Sequence, residues 1–560
     1  MQCSHTDPDV SFTDKQALMQ WCKQNPTYQW DMIIIGGGIV GAGVLREASK
    51  QGLNVLLVEQ QDFSWGTSSR SSKMVHGGLR YIAQGDAAMT KHSLTEREHL
   101  LKEYPDLITR MGYFFLLRKG VFPGRFLMTV LLKIYDWLAG IKDQRFYSTQ
   151  QVIDTFPGIN AKKLNGACYY TDTVVDDSRL VLRVISEAIG YGGKALNYIK
   201  AVDLTRSDSG NVTGVLVQNE GGLLTGNQET SETTIALKAS VVINATGAWA
   251  DKLRMKVVDE KRVRPLRGSH ILFSEKTICV PCALTLTHPK DKRAVFIFPW
   301  QGTTVVGTTD LDHPENLDVE SKITQEEVNY LLELVNFNFP DTPILIDDIL
   351  SSFAGVRPII GSDKSKDPSK ERRDHAIWAD KGLVTVSGGK LTTFKLIARD
   401  VLSAAKPWLK ESNNNNNNNN QIETVHAQSD KADNEISSEK SVKKRFLGKY
   451  GANAQVRIDK LIKQSTEKEL ALIEHTPFCL ADCRWALQYE AVNHLDDLLL
   501  RRTRLGLLLS KGASYYFADI KVLCQQELHW NEAMWEQELF RYQHIWESNY
   551  SVCTTSRNCN

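Results

Sequence analysis

The sequence predicts an α/β protein: a dinucleotide-binding unit opens the main body, a strand-rich stretch follows, and a helical segment closes the chain. Three observations predict it. Met32-Ile33-Ile34-Ile35 is a short apolar run ending at Gly36-x-Gly38-x-x-Gly41, and helix-forming residues then continue through Lys50 to a second apolar run, Asn54–Glu59. β-Branched runs recur between about 195 and 310, among them Val212–Val217, Val241–Asn244, Ala294–Phe298 and Thr303–Val306. From Ser441 to about Glu547, Leu and Trp recur at helical spacing.

Taken in order, residues 1–29 form a polar and aromatic N-terminal extension with a weak helical pattern at Lys15–Lys23. Residues 30–410 make the main body. Within it, 85–110 reads as helix ending near Gly112, and Val121–Gly140 is apolar but broken by Lys133 and Asp136. Composition shifts abruptly at 411–440, where Asn413–Asn420 are all asparagine amid Ser, Gln, Glu and Asp. Such a tract has no apolar surface to bury and reads as a linker. Residues 441–560 form a small helical domain.

Composition excludes several classes. The chain has 560 residues with 67 Lys+Arg against 66 Asp+Glu, a net +1, so a global basic footprint for nucleic acid is absent. The ten cysteines are too sparse for a disulfide scaffold, and Cys279/Cys282 and Cys479/Cys483 read as reduced thiols rather than a metal set; no metal is expected. The first residues lack a basic and an apolar signal region, and about 18 consecutive apolar residues occur nowhere, so the expectation is a cytoplasmic protein without a spanning helix.

The glycine loop carries the first chemistry. Gly36 permits the tight turn, Gly38 lets backbone approach a pyrophosphate, Gly41 lets helix and strand pack closely, and the helix N-terminus adds partial positive charge. Glu59 ends the second strand, where an acid bonds ribose hydroxyls and favours FAD or NAD over NADP. Gly66-Thr67-Ser68-Ser69-Arg70-Ser71-Ser72-Lys73 offers hydroxyls and amides to a pyrophosphate and toward a flavin ring, and His76-Gly77-Gly78-Leu79-Arg80-Tyr81 follows. Asn244-Ala245-Thr246-Gly247 ends another apolar strand and is similar to the Ala-Thr-Gly contact of two-dinucleotide-fold flavoproteins. Gly388-Gly389-Lys390-Leu391-Thr392-Thr393 is a glycine turn opening a helix, placed to stabilise negative charge on a reduced flavin.

Together these pieces resemble the FAD-dependent, quinone-linked (aerobic) glycerol-3-phosphate dehydrogenases. The matching stretches are IIIGGGIVGAG, GTSSRSSKMVHGGLRY, YTDTVVDDSRLVL, NATGAWAD, RGSHILF, FPW…VVGTTD, GVRP, RRDH, SGGKLTTFK and LLLRRTRLGLLL, in family order. The resemblance implies a FAD domain of the glycine-oxidase type, interleaved with an antiparallel substrate sheet and followed by a helical cap. It implies oxidation of glycerol 3-phosphate by FAD, with electrons leaving to a membrane quinone. No Asp-x-Asp-x-Asp-Gly calcium loop occurs in the tail.

A phosphate dianion calls for arginine forks, and Arg80, Arg357 and Arg373 lie in segments that the resemblance brings to the substrate. Tyr81 would line the pocket and bond a substrate oxygen. His270 is the first candidate for the base, because imidazole titrates near neutrality; Lys390 stays open as base, substrate contact or flavin polariser. The cofactor set is Gly36, Gly38, Gly41, Glu59, Thr67, Ser68, Ser69, Ser72, Lys73, His76, Gly77, Leu79, Ala245, Thr246, Gly247, Gly389, Lys390, Leu391 and Thr392. Asp176 and Asp177 read as structural, ordering the loop ahead of Arg179. Because the family's acceptor lives in lipid, Arg118–Trp137, basic and aromatic, is the candidate membrane face, on the inner side of the cell membrane. A soluble oxidase of the same fold and a non-catalytic FAD-binding protein are the rival readings, and a homodimer stays open.

Overall fold

Strand Gln29–Ile35 is apolar at consecutive positions because it lies in the middle of a sheet covered on both sides: Met32, Ile33 and Ile34 are wholly buried. It pairs in parallel with Val55–Val58 and with Ile235–Asn244, and Leu383–Gly388 adds on beyond the latter. Helix Ile39–Lys50 crosses over this sheet between its first two strands. This computed structural model describes residues 12, 14–79, 82, 87–221, 234–361, 375–409 and 439–552. Arg80, Tyr81 and Arg373 lie outside the described residues, as do positions 411–438 of the Asn-rich segment and the first 11 residues of the extension. Of that extension, Lys15–Gln24 is helical, capped by Asp14, whose carboxylate accepts from the Ala17 amide.

A second, largely antiparallel sheet is threaded between the strands of the first. Its long central pair is Val263–Ser274 against Ile349–Ile360, registered from Val263↔Ile360 to Phe273↔Ile349. Thr303–Gly307 flanks Val263–Ser274 on the other side. Farther out, Ile108–Arg118 pairs with Leu164–Val175. This corrects one expectation. The helix expected over 85–110 ends at Glu103, and Gly112 sits within a strand rather than at a helix end. The aromatic run Tyr113-Phe114-Phe115 suits a pleated surface buried on both sides, and a Cβ at Gly112 would lie 2.5 Å from the Tyr169 ring across the strand pair.

Helix Arg125–Ala139 has two faces. Met128, Leu132 and Tyr135 are buried, whereas Phe126 and Trp137 are 84% and 78% exposed. Gly140, left-handed at φ 69°, ends it.

The tail, helical from Glu439 to Asn549, does not stand apart from the body. One apolar core contains Leu94, Tyr113, Leu132 and Tyr135 of the body together with Leu498, Leu508, Trp535 and Tyr542 of the tail. Charged contacts reinforce that seam: Arg179 reaches the Glu490 carboxylate, and Arg501, Arg502 and Arg504 are each 1% exposed.

Candidate active site

The glycine loop is built by close backbone approach. The Gly36 amide donates to the Val58 carbonyl at 2.9 Å. A Cβ on Gly41 would fall 1.9 Å from the Gly36 carbonyl oxygen, so no side chain fits there. Gly38 caps helix Ile39–Lys50, and a Cβ on it would lie 3.0 Å from Ser68 Oγ, which accepts from the Ile39 amide at 3.0 Å. Glu59 closes the second strand; its carboxylate accepts from the Gly37 amide at 2.7 Å and the Gln61 amide at 2.9 Å. Burial pushes that carboxyl above its ordinary range, against the pull of these amides.

The other predicted cofactor segments converge on this loop. Ala245 donates its amide to Ile35 at 2.9 Å, and its carbonyl lies against Gly36. Thr246 Oγ1 donates to Asn244 at 2.7 Å, and the Gly247 carbonyl accepts from Ser387 at 3.0 Å. Nothing lies within 4 Å of a Cβ built on Gly247, so backbone there borders open space. Thr67 donates to the Val356 carbonyl, next to Arg357. Thr392 Oγ1 donates to the His76 carbonyl at 3.4 Å, joining the turn that holds Gly389 and Leu391 to the His76–Leu79 stretch. The Gly77 amide donates to Tyr135 Oη at 3.0 Å, and Leu79 packs on the shared core.

Lys73 turns its side chain into the protein. Its side chain is wholly buried, and Nζ donates to Asp177 at 2.9 Å and to the Ser69 carbonyl at 2.6 Å. Burial, offset by Asp177, brings its amine down to about 8. The side chain thus braces the loop from within the protein.

His270 and Arg357 meet through the central strand pair. Side chains two apart share a face, and directly paired residues across the strands share it too. Leu266↔Arg357, Gly268↔Gly355 and His270↔Phe353 therefore line one face, with two glycines between the imidazole and the guanidinium. The guanidinium lies over Gly268, where a Cβ would come within 2.3 Å of Nη2. It is held by Asp310 Oδ1 at 3.1 Å and Thr308 Oγ1 at 2.9 Å.

His270 is wholly buried and stacked on Phe353 at 4.6 Å, with Gly307 under its other side and Nε2 3.0 Å from Ser72 Oγ. Among the described residues its Nδ1 has no hydrogen-bond partner. Burial first, then the charges of Arg357 and Lys73, hold its pKa well below the ordinary 6.5, so the ring is neutral at physiological pH. Lys390 Nζ donates to Ser93 Oγ at 3.1 Å.

Sequence reasoning assigned no part to Thr308, Asp310 or Ser93. The first two were in view within the VVGTTD stretch, but their contact with Arg357 depends on strand pairing nearly 50 residues apart.

A glycine-lined strand–turn–helix, an acid at the second strand's end and a hydroxyl loop packed over the turn fit a FAD-dependent oxidoreductase. The family model for FAD dependent oxidoreductases matches residues 31–399, and that for the C-terminal domain of alpha-glycerophosphate oxidase matches 413–534. An aerobic glycerol-3-phosphate dehydrogenase of Staphylococcus haemolyticus is 33% identical over 504 residues, 85% of this chain and 86% of that one. The chain belongs to the aerobic glycerol-3-phosphate dehydrogenase family, and its cofactor is FAD. In fold it is similar to the glycerol-3-phosphate dehydrogenase of Bacillus halodurans, solved with FAD, at a TM-score of 0.69 and 22% identity over 95% of this chain and 96% of that one. It is also similar to the glycine oxidase of Bacillus cereus, at a TM-score of 0.51 and 18% identity over 68% of this chain and 98% of that one. The expected glycine-oxidase type of FAD fold, with a second sheet and a helical C-terminal part, is therefore the fold of this chain.

Proposed function

We propose that the chain oxidises sn-glycerol 3-phosphate to dihydroxyacetone phosphate and passes the electrons to a quinone at a membrane surface. Held at the glycine loop, FAD supplies the two-electron acceptor for the hydrogen on the substrate's carbinol carbon. The chain's own residues must hold the phosphate and take the hydroxyl proton.

The observation that carries this reading is the shared face of the central strand pair. It sets a neutral, buried imidazole and a braced guanidinium on either side of a glycine pair. Arg357, held by Asp310 and Thr308, keeps a fixed cation for a phosphate oxygen. In the tautomer whose Nε2 donates to Ser72, His270 carries its lone pair on Nδ1, the nitrogen without a partner among the described residues and the atom that would accept the proton. Lys390 adds positive charge beside the turn at Gly389. Arg80, Tyr81 and Arg373 remain part of the proposed substrate set on their sequence motifs.

The membrane part of the proposal rests on helix Arg125–Ala139. Phe126, Val130, Ile134 and Trp137 recur at helical spacing on its outer face, with Phe122 just ahead at 80% exposure. Lys119, Arg125 and Lys133 are exposed around them, a pattern suited to anionic headgroups over an apolar interface. Arg118, also expected there, instead donates to the Asn160 and Lys162 carbonyls and to Asn338. Among the described residues no helix is long and apolar enough to cross a membrane.

Anaerobic addition of sn-glycerol 3-phosphate should bleach the flavin absorbance of the purified protein; absence of bleaching would refute the reaction. Faster reoxidation by a quinone analogue than by air is expected, and the reverse would make the protein an oxidase.

A further inference from the structure

The tail contributes Asp496–Arg504, which includes a widened, π-type helical turn at Asp497–Arg502. Its three arginines are almost wholly buried, and each ends on the body segment between Asp62 and Lys73 or on that segment's carboxylate anchor. Arg501 and Arg502 both reach the Asp62 carboxylate, the latter with Nη2 2.8 Å from Oδ1. Arg504 donates to Asp176 at 3.1 Å, to Asp177, and to the Ser69 carbonyl at 3.2 Å. Asp177 in turn accepts from the Ser71 amide at 2.9 Å and the Ser71 hydroxyl at 2.7 Å. The next residue is Ser72, 3.0 Å from His270 Nε2.

Burying ion pairs is a poor route to stability, since desolvation takes back much of the attraction and apolar replacements of like shape are often as stable. What such a network fixes is geometry. Arg504 grips two carboxylates and a loop carbonyl with one planar fork, an arrangement that a lysine cannot copy.

We propose that Arg504 is a positioning residue for the active site: from the tail it sets the Ser69–Lys73 backbone through Asp177, and so sets Ser72 against His270. The proposal rests on the reading of His270 as the proton acceptor and of the Thr67–Ser72 segment as cofactor lining. The tail is then a working part of the active site, although none of its described residues belongs to the proposed substrate or cofactor set.

The test uses the full-length holoenzyme with Arg504→Met, which keeps bulk without charge, and Arg504→Lys, which keeps charge without the fork. Expected for Arg504→Met are a flavin reduction by sn-glycerol 3-phosphate slowed about tenfold to a hundredfold, an altered visible circular dichroism of bound FAD, and partial recovery of both when millimolar guanidinium is added. A variant with wild-type rate and dichroism overturns the proposal. So does a loss that guanidinium leaves untouched while the dichroism stays wild-type, since that is a stability defect alone. Should Arg504→Met fail to fold, Arg504→Lys carries the test: a smaller loss in the same direction supports the proposal, and wild-type behaviour overturns it. If the wild-type protein itself is not reduced by the substrate, the reading of the reaction fails separately, and the FAD dichroism and FAD dissociation constant still decide the role of Arg504.

Discussion

Replacing Gly307 with alanine should slow flavin reduction about a hundredfold while leaving the protein folded with FAD bound. The new methyl would fall 2.1 Å from His270 Cδ2 and 2.8 Å from Nε2, where ordinary contact begins near 3.4 Å. The ring must therefore move about 1.3 Å, and Phe353, stacked at 4.6 Å on its other side, resists the shift. A displacement of that size also breaks the 3.0 Å link from Nε2 to Ser72. Misplacing a reacting group by roughly 1 Å lowers a rate about a hundredfold, and overpacking a filled site destabilises by about 1–3 kcal/mol. Stopped-flow bleaching at saturating sn-glycerol 3-phosphate, normalised to bound FAD, measures the first effect; a thermal melt measures the second. Gly190→Ala is the control, because nothing lies within 4 Å of the Cβ it would gain and its backbone is helical. A Gly307→Ala protein that reduces its flavin at the wild-type rate would refute the assignment of His270 as the base.

Arg357→Lys gives up the double hold on Asp310 and Thr308, and with charged hydrogen bonds worth about 1.5–3 kcal/mol, half-saturation should rise about tenfold to a hundredfold. Steady-state kinetics check this, and an unchanged half-saturation removes Arg357 from the phosphate site. Two histidines should tilt stability against pH in opposite directions. His270, kept neutral first by burial and then by Arg357 and Lys73, binds no proton in the fold while the unfolded chain does, so its contribution is lost as pH falls below 6.5. His494 is buried too, but the Glu538 carboxylate 2.9 Å from Nδ1, together with the Asp497 charge, outweighs that burial and raises its pKa. Its contribution is full below 6.5 and is lost as pH rises through the folded value. Melting temperature against pH for His270→Gln and His494→Gln should each lose one of these slopes; parallel curves would refute both. Exchanging Phe126 and Trp137 for serine should weaken binding to anionic vesicles by about a hundredfold to ten-thousandfold, taking about 1.5–3 kcal/mol for each large apolar side chain. Vesicle sedimentation checks it, and wild-type binding would remove that helix from the membrane reading.

What was legible in the sequence is what backbone geometry dictates locally. Gly36, Gly38 and Gly41 announce a close-packed turn, in which Gly36 and Gly41 admit no side chain, and four apolar residues ahead of them announce a buried strand. Motif order placed His270 and Arg357 on what are adjacent strands of one sheet, although their common face depends on a register that the sequence does not display. The sequence places Lys73 with the cofactor loop but cannot show where its side chain goes, because its partner Asp177 lies 104 positions away. Gly112 misled because its glycine answers to the Tyr169 ring across a strand pair, not to a helix end. Arg501, Arg502 and Arg504 were given no part beyond their place in a matching stretch, since nothing local reveals that these arginines will be buried against carboxylates from far earlier in the chain.

That distance has a consequence for how the protein is made. Asp62 meets Arg502 across 440 positions, and Asp177 meets Arg504 across 327. At about 5–20 residues per second, a ribosome needs roughly 20–90 seconds to travel from the first carboxylate to its arginine. During that interval the nascent chain carries the glycine turn and its hydroxyl loop but not the arginines that complete the loop's bracing. The final bracing of the hydroxyl loop therefore belongs to the end of synthesis.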